Sequence, residues 1–147
     1  MKKYLFILAV CLIPAALVFS QTAAEIERLL DTDSVTYEQA AWFVLRAADV
    51  EVFNPMGAFS QAADWKWLPG KAGPSDKAAL SGVSLLVMRA FNLKGGLFYS
   101  LAKNPHYAYR ELIYKGVIQG RADSDMEVSG DLLLFMINEV LYTVEYN

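Results

Sequence analysis

Apolar residues recur at helical spacing along most of the chain, interrupted by short polar or glycine-bearing turns. In 22–30 the positions Ile26, Leu29 and Leu30 share one helical face, with Glu25, Glu27 and Arg28 elsewhere, and Asp31-Thr32-Asp33-Ser34 then makes a turn. Thr36 followed three residues later by Gln39 has the spacing of a capping box, which starts a helix over Tyr37 to Ala48. That helix carries Ala40, Ala41, Trp42, Phe43, Val44 and Leu45 in succession. A helix apolar nearly all round belongs in the middle of a bundle.

Residues 49–57 read as a connector with Asn54-Pro55 as its turn signal, and 58–63 as a short helix leading to the elbow Trp65-Lys66-Trp67-Leu68-Pro69-Gly70. After a loop over 71–77, Ser81 is the expected cap of an apolar helix from Val83 to Leu93. Lys94-Gly95-Gly96 ends it, 97–104 is a further connector, and Pro105 opens a helix through Tyr114. The stretch from Lys115 to Gly130 is a second elbow. In it Gly116 and Gly120 supply positive φ while Val117 and Ile118 turn inward, and Ser129 caps a last helix through about Tyr142.

These pieces repeat. Gly70 matches Gly120 at a spacing of 50, and Ser81-Gly82, Leu85-Leu86 and Met88 match Ser129-Gly130, Leu133-Leu134 and Met136 at a spacing of 48, which places a two-residue difference in the loop. The first unit fits with a shortened loop over 31–35. The expectation is an all-α fold of three helix-loop-helix units, at about 22–48, 57–93 and 105–142, whose apolar helices meet around a pseudo-threefold axis as one cooperative domain.

The start of the chain changes the setting. Lys2 and Lys3 precede an apolar run from Tyr4 to Phe19, broken by Pro14 and ending in Val18-Phe19-Ser20. This reads as a secretory signal peptide over 1–20 cut after Ser20, too short and too interrupted for a membrane anchor, with 21–147 as the exported domain. Val10 before Cys11 argues against a lipid-modified cysteine. Of the 13 basic residues Lys2 and Lys3 leave with the leader, while all 16 acidic ones stay, taking the net charge from −3 to −5. An acidic exported domain is a poor fit for nucleic acid, and nothing in it calls for stable membrane insertion after cleavage. The only cysteine, Cys11, also leaves, so packing alone must hold the fold. Location is expected to be periplasmic or at the cell surface.

Candidate chemistry is thin. His106 is the only histidine, which removes most metal and triad arrangements, and its place after Pro105 suits capping or packing. Asp123-Ser124-Asp125-Met126-Glu127 opens like a calcium loop, but Val128 stands where the sharp turn needs glycine and Leu134 where the bidentate glutamate belongs. An acidic turn before a helix is the plainer reading. No phosphate loop or nucleophile elbow is present, so no cofactor or metal is expected and the chain reads as noncatalytic. A glycan-cleaving site would have to use Glu111 or Asp123 without any supporting motif. The binding candidates are Trp65 and Trp67 beside the second unit's elbow and Tyr107 near the third, whose rings could stack on a sugar or plug the ends of the bundle. Arg110 and Arg121 could bind a carboxylate or phosphate, or pair with Glu111 and Asp123.

His106-Tyr107-Ala108, then Gly116-Val117-Ile118-Gln119-Gly120-Arg121 and the helix after Ser129 resemble a repeat of the S-layer-homology family. In that family a His-Trp-Ala opening, a Gly-Ile-x-x-Gly elbow and a Thr-Arg-Ala-Glu helix start recur in threes. The match is good across the third unit, fair across the second and weak across the first. The resemblance implies a noncatalytic module that holds exported proteins to the cell wall through peptidoglycan or wall polysaccharide. The family's binding arginine falls at Tyr37, Gly82 and Gly130, so it is missing from every unit. Because the one domain fills 21–147, docking on another envelope protein stands beside glycan binding.

Overall fold

The computed structural model describes residues 22–120 and 122–146. The expected leader over 1–20 lies outside the described residues. Among the described residues every regular element is a helix: α1 (22–30), α2 (Tyr37–Ala47), α3 (Pro55–Asp64), α4 (Leu80–Ala90), α5 (Leu97–Leu101), α6 (Pro105–Tyr114) and α7 (Gly130–Tyr146). The fold is therefore all-α, and among the described residues no helix is long and apolar enough to cross a membrane.

Local chemistry explains most of the boundaries. The Thr36 side chain accepts from the Gln39 backbone N–H while the Gln39 side chain accepts from the Thr36 N–H at 2.9 Å, completing the box that starts α2. Asn54 and Asn104 do the same work for α3 and α6. Their Oδ1 atoms accept from the N–H groups of Gly57 (2.7 Å) and Tyr107 (3.0 Å), and a proline follows each at the first helical position. Thus α3 begins at Pro55 rather than at Ala58, since Asn54-Pro55 is a helix start and not only a turn. Asn104, not His106, caps α6.

The start of α4 corrects the sequence reading more deeply. Its N-cap is Ala79, without any side-chain cap bond of its own, and Ser81 lies inside the first turn. The free N–H groups are met from other parts of the chain: Tyr37 Oη accepts from Ala79 (3.3 Å), Met126 O from Leu80 (2.9 Å) and Ser124 O from Ser81 (2.8 Å). The helix starts where these partners are, which moves Leu80, rather than Gly82, opposite Gly130. Asn54 and Asn104, Lys66 and Gly116, and Leu80 and Gly130 are then each fifty positions apart, with no loop difference between them.

Three buried residues, one before each of α2, α4 and α7, close a ring of backbone hydrogen bonds. Val35 N–H donates to Val128 O (2.8 Å), Val128 N–H to Ala78 O (2.9 Å) and Ala78 N–H to Val35 O (2.8 Å). None of the three has measurable solvent exposure, so these polar groups are satisfied only by one another. Leu45, Val44, Leu80, Leu86, Met88, Leu112, Leu133 and Met136 fill the core around the ring. α2 packs on α3 and α4, and α4 on α6. α7 meets α1 so closely that a Cβ at Gly130 would overlap the Leu29 carbonyl oxygen.

The elbow expected after α6 is present. Gly116 and Gly120 both have φ of +76°, and Val117 and Ile118 are buried. After α3 the matching place is held by Lys66 at φ +58°, followed by half-buried Trp67 and buried Leu68. Two further departures matter for function. Part of the 97–104 connector is the helical turn α5, and α7 continues past Tyr142 to Tyr146.

Candidate functional site

A cleft of about 540 Å³ lies where the elbow after α3 meets the end of α4 and the turn α5. Trp67 comes from the elbow, Arg89 from the last turn of α4, Asn92 and Lys94 from the segment beyond it, and Tyr99, Ser100 and Lys103 from α5 and its exit. The local fold aims them. Asn92 takes the left-handed conformation at φ +49°, and the Leu93 N–H returns to Met88 O at 2.9 Å, which ends α4 and turns the chain across the cleft. Tyr99 is buried and fixes α5, while Ser100 Oγ and the Gly96 N–H anchor the turn to Gly95 O (3.4 Å) and to Glu111 Oε1 (2.8 Å).

Its electrostatics run against the sign of the chain. Arg89, Lys94 and Lys103 line the cleft and no acidic side chain does. Among the described residues none of the three is in an ion pair, in contrast to Arg46, which bonds Glu25 at 3.0 Å and lies over the Trp42 ring at 4.5 Å. Burial pushes the Tyr99 hydroxyl above the usual phenol range. The Arg89 charge opposes that shift, and Glu111 adds to it. Tyr99 therefore offers a neutral hydroxyl beside Arg89 at physiological pH. An indole face, three uncommitted cations and a phenol can hold a ring-bearing ligand with negative or hydroxyl groups.

The residues singled out in the sequence divide into groups. Trp65 and Trp67 come together, ring centroids 4.6 Å apart and tilted 51°, with Trp65 exposed and Trp67 half-buried. Tyr107 belongs to another aromatic set: it stacks on Phe98 at 5.8 Å and takes His106 edge-on at 5.4 Å. Arg110 is exposed on α6, away from the cleft lining. Arg121 lies outside the described residues. Of the four described candidates, only Trp67 lines this cleft. Arg89, Lys94 and Lys103 were missed because basic residues near a helix end read as solvated charges.

Both carboxylates raised for glycan cleavage accept backbone hydrogen bonds. Glu111 accepts from the Gly96 N–H, and Asp123 Oδ1 accepts from the Asp125 N–H at 3.1 Å. Among the described residues no three His, Cys, Asp or Glu side chains gather closely enough to hold a metal ion. Tyr37, Gly82 and Gly130, where the resemblance puts a binding arginine, lie in the first turns of α2, α4 and α7 and are all buried. No family model, no curated protein and no solved structure matches the chain.

Proposed function

We infer that the protein is an exported, noncatalytic module of the bacterial cell envelope, a degenerate relative of the S-layer-homology repeats, that binds peptidoglycan or wall polysaccharide. Three helix-loop-helix units, α1–α2, α3–α4 and α6–α7, would surround a pseudo-threefold axis at Val35, Ala78 and Val128. The closed hydrogen-bond ring and the fifty-residue register support that reading. The observation that carries the function is the cleft of Trp67, Tyr99, Arg89, Lys94 and Lys103. A sugar ring stacks on an indole face, and carboxylates of a wall polymer suit unpaired cations on a chain whose net charge is −3. The family's own arginine positions are buried, so recognition would move to the C-terminal end of α4.

A second reading, docking on an envelope protein, is favoured by the last turns of α7, where Leu141, Tyr142, Val144 and Tyr146 are exposed. Co-sedimentation of the purified protein with insoluble peptidoglycan sacculi separates the two. Wall binding predicts that the protein pellets with sacculi and that Trp67→Ala with Arg89→Gln lowers the bound fraction about tenfold or more at matched stability. A folded wild-type protein that stays in the supernatant rejects wall binding and leaves the α7 surface as the lead.

A further inference from the structure

We propose that the α5 turn and its neighbours form a second contact surface, which rests on the headgroup region of an anionic lipid bilayer. The turn is five residues, Leu97–Leu101, and its side chains have divided roles. Tyr99 points inward and is buried. Leu97 and Leu101, four positions apart and so on one face, are 71% and 77% exposed. Phe98 is also exposed and is steadied by stacking on Tyr107. Tyr114, 87% exposed, adjoins the same segment, because it lines a smaller cleft with Lys94, Gly96 and Lys115. Packing does not account for these leucines, since Tyr99, Ser100 and the Gly96 N–H already anchor the turn.

Charge identifies the occupant. From Lys94 to Lys115 the chain has four basic residues, Lys94, Lys103, Arg110 and Lys115, against one acid, Glu111, whose carboxylate is engaged by the Gly96 N–H. The whole chain is net −3, so this segment is a basic lobe on an acidic molecule. Lys94 and Lys103 lie on the cleft side of α5, and Lys115 lies beside Tyr114. Leucine and phenylalanine side chains standing clear of the surface, flanked by long cationic ones, fit the boundary between acyl chains and negative headgroups. There the apolar tips enter and the ammonium groups stay with phosphate. A turn of five residues reaches only the interface, in keeping with the absence of a spanning helix among the described residues. The surface shares Lys94 and Lys103 with the cleft of the wall reading and differs from it in the exposed Leu97 and Leu101, whereas Trp67 and Arg89 belong to the cleft alone.

The test is flotation of the full chain with vesicles of phosphatidylcholine alone or with about 30% phosphatidylglycerol. Four proteins are compared: wild type, Leu97→Ala with Leu101→Ala, Lys94→Gln with Lys103→Gln, and Trp67→Ala with Arg89→Gln. Leu97, Leu101, Lys94 and Lys103 are all exposed, so the first two variants keep the fold, which circular dichroism checks. The proposal expects binding that favours the anionic vesicles and falls about tenfold or more in both the leucine and the lysine variants. The lysine effect should shrink in about 0.5 M salt, and the Trp67/Arg89 variant should bind as wild type does. Equal binding to both vesicle types, no binding, or binding that the leucine variant retains overturns the proposal. A loss confined to the Trp67/Arg89 variant also overturns it and assigns the anionic contact to the cleft.

Discussion

The elbows after α3 and α6 share the backbone of their first turn, at Lys66 and Gly116, and differ beyond it and in what they display, since Gly120 is left-handed and Gly70 is not. Each helix is opened by an Asn-Pro pair fifty positions from the other. Each closes with the same pattern of returning hydrogen bonds, Trp67 N–H to Ala62 O at 2.8 Å and Val117 N–H to Leu112 O at 2.9 Å. In the elbow after α6 the two following side chains, Val117 and Ile118, are both buried. In the elbow after α3 the first of the pair is Trp67, which packs on Trp65 and lines the large cleft, and only Leu68 is fully inside. One elbow serves packing and the other also presents a surface. Equivalent backbone is therefore a poor guide to equivalent function, and the side chain at one position decides which elbow carries a site.

The sharpest way to break the correspondence is at the helix starts that follow these elbows. Leu80 fills the core at the start of α4, whereas Gly130 at the start of α7 lies against the backbone of α1. Gly130→Ala places a methyl group on the Leu29 carbonyl oxygen, a backbone atom that cannot swing aside. The expected loss is about 3 kcal/mol or more, at the upper end for overpacking. Urea denaturation reads it directly, and a loss below about 1 kcal/mol would show that α1 and α7 are not held at this separation.

A smaller effect of opposite signs tests the elbows themselves. Gly116 and Lys66 occupy matching left-handed positions, at φ +76° and +58°. Gly116→Ala meets no neighbouring atom within 4 Å, so its cost is backbone strain alone, about 1 to 2 kcal/mol. Lys66→Gly removes the same strain and should raise stability by up to about 1 kcal/mol, partly offset by the greater freedom of glycine in the unfolded chain. Changes of the same sign would separate the two elbows.

Much of this was legible before any coordinates. The capping box at Thr36 and Gln39, the left-handed glycines at 116 and 120 and the inward pair Val117-Ile118 all follow from local chemistry, and local chemistry is what a sequence displays. The start of α4 was not legible, because Ser81 has the residue type of a cap while the true partners, Tyr37, Ser124 and Met126, are more than forty residues away. The site was legible only at Trp67. Arg89, Lys94 and Lys103 become a group through the turn at Asn92 and the fixing of α5, both of which depend on tertiary contacts. Burial hides the same way: nothing local says that Tyr99 goes inside while Leu97 and Leu101 stay out.

The capless start of α4 supplies the mildest test, and it also separates α4 from α2. α2 carries its own box at Thr36, but α4 relies on the hydroxyl of Tyr37 from α2 to accept the Ala79 N–H. Burial raises the pKa of that hydroxyl. The Ala79 N–H works against the shift, and the charge of Asp76 adds to it. A phenol whose folded pKa lies above its unfolded value binds its proton more tightly when folded. Its contribution is then complete below the unfolded pKa, near 10, and is lost as pH rises through that value toward the folded one. Stability should accordingly be flat in this respect through neutral pH and fall in the alkaline range, with Tyr99 contributing in the same direction. Tyr37→Phe removes one of the two titrating groups and leaves the Ala79 N–H without its acceptor. It should cost about 1 kcal/mol at neutral pH and make the alkaline fall shallower. Thermal denaturation of both proteins between neutral pH and pH of about 11 measures both effects. An unchanged alkaline slope in the variant would mean that Tyr37 does not sense the fold, and that α4 starts without help from α2.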